Sequence, residues 1–77
     1  MNEIPLSQLK SDSSGEIVKV QGEVELRQRL ASLGFIRGAE VVVGHSAILG
    51  GPRSYLVRGS QISLRKSEAE LITIKTE

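Results

Sequence analysis

The chemistry open to this chain is narrowed first by its single imidazole. His45 is the one histidine among 77 residues, and there is no cysteine. The absence of cysteine excludes a thiolate zinc finger, an iron–sulfur site, a cysteine nucleophile and a disulfide scaffold together. A metal site on His45 would need carboxylates such as Asp12 or Glu40 to converge on it, and nothing in their spacing requires that. His45 therefore reads as a partly exposed loop residue, with no metal and no cofactor expected. No serine or carboxylate pair stands at a recognisable spacing from it, so the sequence offers no triad and no enzymatic activity is expected. Gly50, Gly51 and Pro52 lack the lysine and following helix of a nucleotide loop and read as a turn. Arg53, Arg58, Arg65 and Lys66 could line a basic face. However, ten basic residues against nine acidic ones give a net charge of +1, and only Phe35 and Tyr55 could stack on bases. No nucleic-acid partner is expected, and the four cations read as a solvated surface.

What remains is recognition by shape, which depends on how the elements hold their side chains. At 39% hydrophobic and 3% aromatic, the chain reads as a single domain, 1–77, with a core of about a dozen side chains. Ser11, Asp12, Ser13, Ser14 and Gly15 form a loop. Glu16 to Val20 has strand density of β-branched residues and stops at Gly22. From Glu23 to Leu33 the period changes to that of an amphipathic helix. Leu26, Leu30 and Leu33 fall on one arc, Glu23 and Glu25 sit in the first turn, and Gly34 stands at the stop. Val24 lies off that arc, either packed on the incoming loop or exposed.

Four further strands follow at Glu40–Val43, Ser54–Val57, Gln61–Leu64 and Leu71–Ile74, each gap punctuated by Gly, Ser or Pro. Ser67 and Glu70 match a capping box for one helical turn before the last strand. About five short strands and one helix predict a mainly β fold, a small SH3-like barrel, because a flat sheet would leave long edges and no closed core. Within it, Gly34, Phe35 and Gly38 mark a tight structural turn, with Phe35 and Ile36 plugging the open end of the barrel.

The order of these pieces resembles the ferrous iron transport protein A (FeoA) family. The residues that carry the resemblance are Leu26 to Phe35 (Leu-Arg-Gln-Arg-Leu-Ala-Ser-Leu-Gly-Phe), Gly38, Leu49-Gly50-Gly51-Pro52 and Ile62 to Ala69 (Ile-Ser-Leu-Arg-Lys-Ser-Glu-Ala). Together they span Pro5 to Ile74. The sequence departs at Arg37, where the family often carries proline, and a more pliable turn is the consequence.

The resemblance implies a cytosolic accessory or regulator that binds a membrane ferrous iron permease bearing a cytoplasmic GTPase domain. The family has no established catalytic residues to carry over. The alternative in kind is a free-standing interaction domain similar to the C-terminal domain of metal-dependent transcriptional repressors. No basic stretch leading into an apolar segment opens the chain, and no run approaches the roughly 18 apolar residues of a membrane span, so a cytoplasmic location without membrane insertion is expected. Docking on the permease is expected through an apolar groove between the helix and the Ala47–Tyr55 hairpin, carried by Ile48, Leu49 and Tyr55. A loop holding Ile48 and Leu49 is more apolar than a connection between surface strands needs to be. Capping of the barrel by the same residues is the competing account.

Overall fold

The computed structural model of the chain describes residues 2–44 and 52–76. His45, Ile48 and Leu49 lie outside them. Among the described residues, the strands are, in order, β1 (Asn2–Pro5), β2 (Ser14–Val20), β3 (Glu40–Val43), β4 (Arg53–Val57), β5 (Ser60–Leu64) and β6 (Ile72–Thr76). Between them stand a 3₁₀ turn at Leu6–Gln8 and two helices, α1 (Val24–Ser32) and α2 (Lys66–Ala69). The strands form one antiparallel sheet in the order β1-β6-β2-β3-β4-β5. It curls into a mainly β, SH3-like architecture that is barrel-like without closing.

β1 is the strand that the residue pattern does not announce. Asn-Glu-Ile-Pro has no apolar alternation, and it is extended because Asn2 to Pro5 pair with Thr76 to Thr73 of β6. Proline is tolerated there because an edge strand has one side free of ladder bonds. At β2 the register against β6 shifts between Ile17 and Lys19, a bulge that bends the strand.

The period of two sets the interior. Val41 and Val43 of β3, Tyr55 and Val57 of β4, and Ile72 and Ile74 of β6 all point inward with Ile17 and Leu64. Leu6 and Leu9, flanking the 3₁₀ turn, join Leu30, Phe35 and Ala69 to complete this core. Each large side chain removed from water there contributes about 1.5–3 kcal/mol.

α1 follows its predicted bounds closely but buries a narrower face. Leu30 is fully buried and Leu26 packs partly against the core, while Leu33 and Val24 stay exposed. α2 starts two residues earlier than the expected Ser67–Glu70 box. Its N-cap is Arg65, whose backbone N–H donates to Glu68 Oε1 at 2.9 Å. An arginine side chain has no acceptor to return the bond, so only half of the box forms. Glu68 also pairs with Arg29, tying α1 to α2. Because Arg29 is mostly exposed, that pair adds more to orientation than to stability.

Arg53 bridges the opening of the sheet. From the start of β4 its guanidinium donates to the Ser7 carbonyl at 2.8 Å and to the Leu9 carbonyl. This ties the segment after β1, at one edge, to the strand next to the other edge.

Candidate functional site

The run from Leu33 to Gly38 forms a tight structural corner. Leu33 caps α1, Gly34 follows at φ 111, and the bonds Phe35 N–H to Leu30 O (2.9 Å) and Gly34 N–H to Ala31 O (3.0 Å) make a Schellman motif. The motif's hydrophobic contact is supplied by Phe35 and Leu30, both in the core. Gly38, at φ 89, then donates to the Ile17 carbonyl at 2.8 Å, and the chain enters β3. Phe35 is 1% exposed, whereas Ile36 is 39% exposed, so Phe35 fills the interior and Ile36 faces out with Leu33 and Arg37.

Tyr55 corrects the expectation of an exposed docking groove in which it takes part. On β4 the alternation sends Tyr55 and Val57 inward and Leu56 outward, leaving Tyr55 1% exposed and Leu56 42% exposed. Burial pushes the Tyr55 hydroxyl above its usual pKa of 10.0, and the guanidinium of Arg53, 5.7 Å from the ring centroid, pulls the other way. Arg53 is thus a structural clamp, with Nε buried and unpartnered among the described residues. Arg58, Arg65 and Lys66 are exposed, in keeping with a solvated surface.

Two concavities mark the outside of the sheet. One is polar, between β1, β2 and β6, where Lys75 faces Glu16 and Glu16 faces Glu40 across the strands. Among the described residues, no three His, Asp or Glu side chains are grouped to hold a metal ion. The second is a groove of about 340 Å³ lined by Ala39, Glu40, Val42, Leu56, Arg58 and Gly59. Val42 and Leu56 are cross-strand partners on its floor. This surface can bind by shape, with apolar area, the Arg58 guanidinium and the Glu40 carboxylate. The sequence pattern did not single out Leu56, and Arg58 read only as part of a solvated basic surface. Strict alternation from Tyr55 to Val57, and the Arg58-Gly59 pair between two strands, were the signals available.

Comparison with known proteins places this geometry. Residues 4–76 match the FeoA domain family. A fusion of an Fe(2+) transport protein A with an Fe(2+) transporter FeoB, from Porphyromonas gingivalis, is 31% identical over 70 residues. The match covers 91% of this chain and 8% of that protein's length. The FeoA protein of Chlorobium tepidum superposes with a TM-score of 0.86 at 38% identity, covering 92% of this chain and 68% of that one. The zinc-complexed FeoA of Stenotrophomonas maltophilia superposes at 0.80 with 30% identity, covering 91% and 87%. It is described as a prokaryotic SH3-domain protein with a suggested part as a ferrous iron transport activating factor. With a family match over nearly its whole length and the same curled sheet as these relatives, the chain belongs to the FeoA family.

Proposed function

We propose that this protein is a cytoplasmic accessory of ferrous iron uptake that acts without catalysis of its own, by docking on the cytoplasmic GTPase part of a membrane ferrous iron permease. The observation that carries the reading is the fusion relative, in which an FeoA unit and an FeoB transporter share one polypeptide. Covalent linkage raises the effective concentration of one part at the other, which serves two parts that act in contact. Among the described residues no helix is long and apolar enough to cross a membrane, so attachment to such a transporter would come through a protein contact. Ile48 and Leu49, in the connection between β3 and β4, are proposed to supply part of that contact. Partner burial of one such side chain is worth about 1.5–3 kcal/mol, roughly tenfold or more in affinity.

The test is ferrous iron uptake and co-purification in cells that express the permease. Deletion of the whole chain should lower uptake. Leu49→Glu, expressed and folded, should lose co-purification and lower uptake as well. Wild-type uptake in the deletion strain would remove the transporter reading; wild-type behaviour of Leu49→Glu alone would remove only the loop's part in it.

A further inference from the structure

The hairpin between β4 and β5 turns on Arg58 (φ 50) and Gly59 (φ 84), a two-residue turn with both central residues in the left-handed region. Such turns favour asparagine, aspartate or glycine at the first position, because a side chain there crowds its own backbone. Asp12 is the other described non-glycine residue at positive φ, and aspartate tolerates it. Arginine has no such local compensation, so the turn keeps a residue that strains it.

The surroundings show where that residue is held. Its stem passes over Gly34: a Cβ built on Gly34 would lie 3.2 Å from Arg58 Cδ and 3.5 Å from Cγ. Arg58 also lines the groove floored by Val42 and Leu56. Glu40 lines the same groove, yet the ion pair among the described residues is Arg29 with Glu68, and Arg58 makes none. A strained, unpaired cation thus stands beside outward-facing Leu56 (42% exposed), with Ile36 (39%) and Leu33 (37%) exposed on the Gly34 corner. A carboxylate can accept two parallel N–H bonds from a guanidinium, and the apolar neighbours would shield that pair from water.

We infer that Arg58 is the anchor of a protein-docking site, and that its occupant is a segment of the partner carrying a carboxylate beside a bulky apolar side chain, the carboxylate on Arg58 and the apolar group on Leu56. This rests on the transporter reading above, and it names a contact at the opposite end of β4 from the Ile48–Leu49 connection.

Two substitutions separate anchoring from packing. Arg58→Asn suits the turn, so it should raise the melting temperature, by about 4 °C, while weakening binding to the purified permease roughly tenfold or more. Arg58→Met keeps the stem over Gly34 and removes the charge. It should melt as the parent does and bind as weakly as Arg58→Asn.

Parent-like binding by Arg58→Met overturns the anchor, leaving Arg58 a packing residue. A melting temperature of Arg58→Asn at or below the parent's overturns the strain argument. If the deletion strain loses uptake but both Arg58 variants restore it fully, this site is wrong and the transporter reading stands. If the deletion strain keeps its uptake, both fall.

Discussion

Gly34 and Gly38 look alike in sequence, and their surroundings make them unequal. Both adopt positive φ, at 111 and 89, a conformation that costs a residue with a side chain about 1–2 kcal/mol. At Gly34 a new Cβ would also press on the Arg58 stem at 3.2 Å, whereas nothing lies within 4 Å of one placed at Gly38. Gly34→Val should therefore lower the melting temperature more than Gly38→Val, each by several degrees in thermal unfolding followed by circular dichroism. Equal losses, or the reverse order, would mean that Arg58 does not confine this corner. The need for glycine here is legible in the run Leu33-Gly34-Phe35, since a helix ending on glycine before a bulky apolar residue is the signature of this cap. The neighbour at Arg58 is not legible, because a contact between positions 34 and 58 exists only once the sheet has curled.

The clamp from β4 to the 3₁₀ turn joins two elements through one side chain and carries its own spectroscopic reporter. Tyr55 is the single tyrosine of the chain, so tyrosinate absorbance follows it alone. Its hydroxyl titrates above 10.0 in the folded protein because burial disfavours the anion. Below that pH both folded and unfolded chains keep the proton. Above it the unfolded chain releases the proton first, so this group's contribution to stability is lost as pH rises through the folded value. Arg53→Met removes the cation that favours the anion. It should push the titration of Tyr55 still higher and destabilise the fold by about 2–3 kcal/mol, as the Ser7 and Leu9 carbonyls lose a charged donor. A titration unchanged or moved downward would show that Arg53 does not act on the ring.

Strands β2 to β6 were legible as elements because their short apolar runs are punctuated by glycine, serine or proline. β1 was not, since pairing with β6 imposes its conformation. The start of α2 was missed because arginine is an unusual N-cap, and only the reach of Glu68 back to the Arg65 N–H identifies it. The expectation at Tyr55 failed on period: counting alternation from Val57 places Tyr55 on the inner face, and Leu56 is the apolar residue left outside.

At the scale of the whole molecule, β6 is an interior strand only because β1 covers it. Removing residues 1–5 should turn β6 into an edge, lower the melting temperature by several degrees, and raise self-association measured by light scattering. A truncated chain that melts as the parent does and stays dispersed would show the pairing to be dispensable. The same arrangement bears on how the chain is made. Ile72 and Ile74 are fully buried between β1 and β2, and they belong to the last described strand to leave the ribosome. Until it emerges, β1 has no neighbour to join and β2 can pair only with β3, so Leu6 and Ile17 lack the cover that β6 provides. Contacts between residues so distant in sequence form late and close slowly. The sheet therefore stays open until β6 is available, and through that interval chaperones and proteases meet its apolar side chains before that strand does.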